Sequence, residues 1–268
     1  MLNGFVVGLL AWSLLLFTPA LGLPPIESGG TVVDFSFFAM LIENGTECDA
    51  ECGATIVSDR YLLTAAHCCE INLHSSTSFE IEEVILHHHY NIKVKSANDI
   101  ALVKLKENVD LSRYAKVKLS EMEPEDLIAK LGIRKLTAIG YGYQLDQNWT
   151  IIEENSDHLQ VIDMPYIPWE TCLERIENEK NKSDHNVWEG RSICAGKDGG
   201  FGTLKGDFGG PLLAIGNNDD GEIYQVGIVS YGVKGSEGRQ GSMPGIYTNV
   251  HNYCDWLDWS SQFEVKCE

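Results

Sequence analysis

Short runs rich in Val, Ile, Leu and Tyr recur along the chain between turn-forming residues, and they limit its architecture more than any other feature. They lie at Thr55 to Val57, Glu83 to Leu86, Ile100 to Lys104, Leu136 to Ile139, His158 to Ile162, Gln225 to Val229 and Gly245 to Val250. Segments of that length and spacing are too short to bury a helical stripe and suit strands, so they predict an all-β barrel or sandwich. Only two segments read as helix. Around Pro168 to Lys180, Trp169, Cys172, Leu173 and Ile176 fall near the i, i+3, i+4 and i+7 spacing, and His251 to Phe263 turns Trp256 and Leu257 inward with Asp255 and Asp258 outward. With 44% hydrophobic residues in 268, one large or two modest cores can be filled.

The first residues carry a different signal. Phe5 to Phe17 is an apolar run followed by Pro19, Ala20 and Gly22, the pattern of a secretory leader over residues 1–22, so the mature chain 23–268 is expected to be secreted and extracellular. Nothing before Glu27 is charged, which keeps an uncleaved membrane anchor as the alternative. Eight cysteines behind such a leader point to disulfides, because the secretory route is oxidising, and no CxxC pairs stand at zinc-ribbon spacing. The formal charge of −19 disfavours nucleic acid and acidic membrane surfaces as partners and mildly favours basic ones. Asn44, Asn148 and Asn181 head N-glycosylation sequons in polar stretches.

Chemistry enters with five ordered motifs. TAAHC spans Thr64 to Cys68, NDIALVKL spans Asn98 to Leu105, GDFGGP spans Gly206 to Pro211, SYG begins at Ser230, and PGIYTNV spans Pro244 to Val250. Taken together, from about Ile26 to Phe263, the sequence resembles the chymotrypsin and trypsin-like serine proteases. The resemblance implies two packed antiparallel β-barrels with a C-terminal helix: a first barrel about 26–130, a second about 131–250 and the helix about 251–263. It also assigns roles. A serine hydroxyl attacks only when a histidine takes its proton and an aspartate orients and steadies that histidine; His67 and Asp99 match the base and the orienting acid. Gly206 matches an oxyanion-hole donor, while Gly202, Gly232 and Gly245 match the specificity pocket. Gly202 stands where relatives of basic specificity carry an aspartate, so that specificity is not expected.

GDFGGP departs from the family's GDSGGP at the nucleophile itself: Phe208 carries no nucleophilic atom. Three further departures are independent of it. In the family, cleavage after Lys or Arg frees an Ile or Val whose ammonium pairs with the aspartate before the serine. Here Ile26 and Asp207 match that pair, yet Pro24 and Pro25 precede Ile26 and no basic residue lies upstream. Deprived of that ammonium, a buried Asp207 must find another partner or protonate. A pocket disulfide is missing at both ends, with Leu204 at one position and no cysteine between Val233 and Met243 for the other. The interval from His67 to Asp99 is also short, as if part of the first barrel were trimmed.

The same resemblance pairs Cys52 with Cys68 and Cys172 with Cys194; elimination then leaves Cys48 with Cys69 and Cys254 with Cys267. No metal and no cofactor is expected. The tract His87, His88 and His89 suggests one, but neighbouring strand residues face opposite ways, and Gly216 to Glu222 lacks the ligand spacing of an EF-hand loop. The expected function is therefore that of a secreted, non-catalytic serine protease homologue acting by protein binding, a cofactor or regulator of an extracellular protease cascade in immunity or reproduction. Its partners would be extracellular proteins such as a protease or a protease substrate, with no nucleic acid and no membrane once the leader is removed. The alternative is an active secreted endopeptidase of non-basic specificity, which requires that Phe208 not be the usual residue.

Overall fold

The computed structural model describes residues 26–28, 31–41, 52–69, 79–91, 97–145, 151–178, 187–196, 202–217, 221–234 and 240–268. The leader, the sequons at Asn44, Asn148 and Asn181, and Cys48 lie outside the described residues. A small hairpin of β1 (Ile26–Ser28) and β2 (Thr31–Val33) comes first. The N-terminal half then forms an antiparallel sheet of β3 (Phe38–Leu41), β4 (Cys52–Ile56), β5 (Tyr61–Thr64), β6 (Ile81–Leu86) and β7 (Ala101–Leu105), in the order β3-β4-β5-β7-β6. Every residue of β4 and β5 is buried, as is all of β7 except Lys104. That is why CGATI, YLLT and ALVKL do not alternate apolar with polar residues: both faces of these strands are covered. β6 is one of the two edge strands among the described residues and presents Glu82 outward to Arg60 and Lys104, charges that discourage edge-to-edge pairing.

The second half closes on itself. After β8 (Lys118–Leu119) come β9 (Lys135–Gly140), β10 (Tyr143–Leu145), β11 (Ile151–Asn155), β12 (Gln160–Ile167), β13 (Ser192–Ala195), β14 (Pro211–Ile215), β15 (Ile223–Lys234) and β16 (Gln240–Asn249). The order β14-β9-β12-β13-β16-β15 returns to β14 through a β14–β15 pairing, making a six-stranded barrel; β8 adds to β15 in parallel, and β10 and β11 form a separate hairpin. Closure demands curvature, and β15 supplies it with bulges between Val229 and Tyr231 and between Gly232 and Lys234. The molecule is thus mostly β with one closed barrel and a second sheet. The first of the two expected barrels is a five-stranded sheet among the described residues.

Of the helices, α2 (Trp169–Asn178) buries Cys172 and Ile176, and α3 (Cys254–Ser260), entered through a 3₁₀ turn at Val250–Tyr253, buries Leu257. A third, α1 (Pro124–Leu131), corrects the reading of two helical segments only. Its local signals are a Pro in the first turn, Glu125 and Asp126 near the N-terminus, Lys130 near the C-terminus and Gly132 beyond it at φ 64°. Eight residues are too few for periodicity to announce it. No helix among the described residues is long and apolar enough to cross a membrane.

Disulfides join Cys52 to Cys68, Cys172 to Cys194 and Cys254 to Cys267. They tie β4 to the turn after β5, α2 to β13, and α3 to the C-terminal tail. Cys69 has no disulfide partner among the described residues; Cys48, with which it is expected to pair, lies outside them. Desolvation, aided by the negative charge of Asp99, pushes the pKa of the Cys69 thiol up to about 12, so it stays protonated and unreactive near neutral pH.

Candidate functional site

The N-terminal sheet and the barrel meet along a seam, and the family-like residues line it. Gly53 of β4 donates its N–H to the carbonyl oxygen of Phe208 at 2.7 Å. A Cβ at Gly53 would lie 2.7 Å from the Cα of Gly210, so only glycine allows the two halves to approach this closely. Thr55 Oγ1 donates across the same seam to Gln225 Oε1 at 2.6 Å, both side chains buried.

His67 sits on the 3₁₀ turn Ala66–Cys69 that ends β5, and Asp99 on the turn that leads into β7. Asn98 takes φ 55° there, a left-handed conformation that Asn tolerates; its side-chain amide donates to the His89 carbonyl oxygen at 3.0 Å and its Oδ1 accepts from the Tyr253 hydroxyl at 3.2 Å. His67 Nδ1 lies 2.7 Å from Asp99 Oδ2, and the His67 backbone N–H donates to Asp99 Oδ1 at 2.9 Å. Ser230 on β15 donates its hydroxyl to Asp99 Oδ2 at 2.5 Å, and Thr248 on β16 donates to the Asp99 carbonyl oxygen at 2.8 Å. Burial by itself would raise the pKa of Asp99. The positive charge of His67 and hydrogen bonds from His67 and Ser230 outweigh burial and hold it below the ordinary carboxylate value. The pair is therefore arranged so that the aspartate stays ionised and fixes the imidazole with Nδ1 facing it.

Phe208 stands between His67 and the barrel. Its ring meets the imidazole edge to face, with centroids 5.3 Å apart at 79°, and it packs against the cores of both halves. Before it, Gly206 adopts φ 93°, and a Cβ there would lie 2.8 Å from the Cα of Gly142, so glycine is required on both conformational and steric grounds.

Asp207 is 5% exposed; Ile26, its expected counterpart, belongs to the β1–β2 hairpin. Its carboxylate oxygens accept the N–H of Gly142 at 2.9 Å and of Leu204 at 2.8 Å, its partners among the described residues. Desolvation dominates these two bonds and raises its pKa to about 6. Gly140 and Gly142 close around this carboxylate; a Cβ on Gly142 would stand 2.5 Å from Asp207 Cγ. Gly232 and Gly245 are cross-strand partners on β15 and β16. Below Gly245 lies the fully buried ring of Tyr247, whose hydroxyl is 3.5 Å from Thr203 Oγ1, next in the chain to Gly202.

Two participants went unassigned by sequence reasoning. Ser230 was visible as the head of SYG, a hydroxyl residue on an otherwise apolar strand, but its partner across the seam was not. Tyr247 was visible within PGIYTNV, but a tyrosine beneath a glycine wall is a fact of register. The histidine tract also differs from expectation. Residues 87–90 form a turn, closed by the Tyr90 N–H to the His87 carbonyl oxygen at 2.8 Å, so the rings gather rather than diverge, at 4.5 Å for His87–His88 and 4.1 Å for His88–His89. His87 is buried against Tyr253 and Trp256, and its Nδ1 accepts the His89 N–H at 3.2 Å. Desolvation, with the neighbouring charges of His88, His89 and Arg191, lowers its pKa to about 4, which marks it as a neutral packing group. Among the described residues, the one set of three potential metal-ligating atoms within 4.8 Å is Cys52, His67 and Cys68. The two cysteines are consumed by their disulfide, which leaves no thiolate to bind an ion.

Comparison with known proteins agrees with this geometry. The Trypsin family model matches residues 34–257. Among curated relatives, "Serine protease snk" of Drosophila melanogaster is 29% identical over 224 residues, covering 77% of this chain and 48% of that protein. "CLIP domain-containing serine protease B15" of Anopheles gambiae is 25% identical over 236 residues, covering 78% of this chain and 60% of that protein. The chain thus spans between about half and three fifths of the length of these relatives.

Proposed function

Since this chain belongs to the Trypsin family of chymotrypsin-like serine proteases, we propose that it is a non-catalytic homologue that acts by binding proteins, as a cofactor or regulator of an extracellular protease cascade in immunity or reproduction. The observation that carries this reading is Phe208, edge to face on His67 at 5.3 Å, taken here to replace the serine of the family's GDSGGP motif. A phenyl ring cannot form an acyl-enzyme, and a ring in that place obstructs the approach of a scissile carbonyl. In this reading His67 and Asp99 are triad remnants, Gly206 an oxyanion-hole remnant, Ile26 and Asp207 an activation-pair remnant, and Gly202, Gly232 and Gly245 the walls of an unused pocket. Secretion through the leader at residues 1–22 and glycosylation at Asn44, Asn148 and Asn181 belong to the same proposal. The choice of a cascade rests on the family resemblance, with a protease or a protease substrate as the partner.

The test uses the purified secreted protein. It should give no burst with an ester titrant of serine proteases and no hydrolysis of a peptide library, while changing the rate at which a trypsin-like zymogen from the same fluid is activated. The rival reading, an active endopeptidase of non-basic specificity, requires the opposite: a stoichiometric burst would sink the non-catalytic proposal.

A further inference from the structure

Strand alternation is the physical objection to a metal at His87, His88 and His89, because it turns neighbouring rings to opposite faces. The turn at residues 87–90 removes it. His88 and His89 are both exposed, and their ring centroids lie 4.1 Å apart with the planes at 57°. The support beneath them is fixed. His87 is buried against Tyr253 and Trp256, and its ring stacks on that of His88 at 4.5 Å and 24°. The main chain of His89 is held on both sides: its N–H donates to His87 Nδ1 at 3.2 Å, and its carbonyl oxygen accepts from Asn98 Nδ2 at 3.0 Å.

Two imidazoles that each give one nitrogen to the same ion, at ~2.0–2.1 Å, have ring centres roughly 4.5 Å apart when the two bonds meet at a right angle and roughly 5.2 Å apart at a tetrahedral angle. The observed 4.1 Å lies within about half an ångström of the first arrangement, a change that side-chain rotation in two exposed residues covers. Neutral imidazole suits copper, nickel and zinc, whereas calcium and magnesium take oxygen ligands. Among the described residues the pair belongs to no set of three ligand atoms within 4.8 Å, so the other coordination positions fall to water. The formal charge of −19 draws cations to the chain as a whole, while Arg191, whose charge is felt at His87, opposes one locally.

We propose that His88 and His89 together bind one divalent transition-metal ion of the copper, nickel and zinc class, each through one ring nitrogen, with water completing the coordination. His87 takes no part as a ligand; it is the packed base on which the turn rests. The site stands whether or not the cleft is catalytic.

The test titrates untagged, chelator-treated, full-length secreted protein with zinc, copper(II) and calcium by calorimetry, beside His88→Ala, His89→Ala, the double variant and His158→Ala as a control. One zinc ion should bind per chain, copper should bind more tightly, as the general order of affinities for nitrogen ligands requires, and calcium should not compete. Each single substitution in the pair should weaken zinc binding by at least about tenfold, and the control should leave it unchanged. Undiminished zinc binding in the double variant overturns the proposal, and so does the absence of zinc binding at about 1 mM. Calcium competing on equal terms overturns it in favour of an oxygen-lined site. If the variants fail to fold, imidazole proton NMR of the unmodified protein decides: His88 and His89 must give the first histidine resonances that zinc perturbs, and any other order overturns the proposal.

Discussion

At the residue scale, Asp207 and Phe208 adjoin in the chain but differ in what the fold asks of them. Phe208 is at ease as a hydrophobe wedged between two cores, whereas Asp207 is buried with two N–H groups and, among the described residues, no cation as partner. A folded pKa near 6, above the ordinary 3.8, means that the native chain holds this proton more tightly than the unfolded chain. Stability should therefore fall as pH rises from about 4 to about 6, and at pH 7 the ionised carboxylate costs roughly 3 kcal/mol. Asp99 works in the other direction: its lowered pKa adds stability above the ordinary carboxylate range and loses it on acidification. A carbon NMR titration of the Asp207 carboxyl, with the pH dependence of unfolding free energy, checks the first statement. The slope between pH 4 and 6 should shrink in Asp207→Asn, although that variant also loses an acceptor for one N–H; an unchanged slope contradicts the assignment. The motifs made His67, Asp99 and Phe208 legible in the sequence. Ser230 and Tyr247 were not, because their roles arise from strand register and from burial, which no local spacing encodes.

At the scale of elements, legibility followed length and surroundings. The strands at Ile100 to Lys104 and Leu136 to Ile139 stood out as continuous apolar runs, because both faces are covered in the fold. β3, β13 and β14 carry a weaker signal, since each spans only four or five residues. α1 was hidden by its eight residues, and the His87–His89 tract was misjudged because a turn replaces the strand that alternation presumes. The C-terminal helix depends on a staple as much as on its packing: α3 spans only seven residues, and Cys254–Cys267 closes a short loop behind it. Replacing both cysteines by serine should lower the unfolding free energy by about 3 kcal/mol in denaturant titrations. A change below about 0.5 kcal/mol would show that Leu257 and Trp256 hold the helix unaided.

At the scale of the whole molecule, two halves make one seam, and the seam carries the site. Asp99 precedes a strand of the N-terminal sheet yet is held by Ser230 and Thr248 of the barrel, and Phe208 of the barrel is held by Gly53 of the sheet. The His67–Asp99 geometry therefore survives only while the two halves stay docked, which makes it a sensitive reporter of a preserved scaffold. The most direct measurement is peptide-library hydrolysis by the purified secreted protein beside two variants: Phe208→Ser, and Phe208→Ser combined with Pro25→Lys and cleaved by trypsin to free Ile26. A scaffold whose cleft survives the loss of its nucleophile and its activation switch predicts cutting by the cleaved double variant alone. Cutting by the unmodified protein would contradict the loss of catalysis, and silence of the cleaved double variant would contradict the preservation of the cleft.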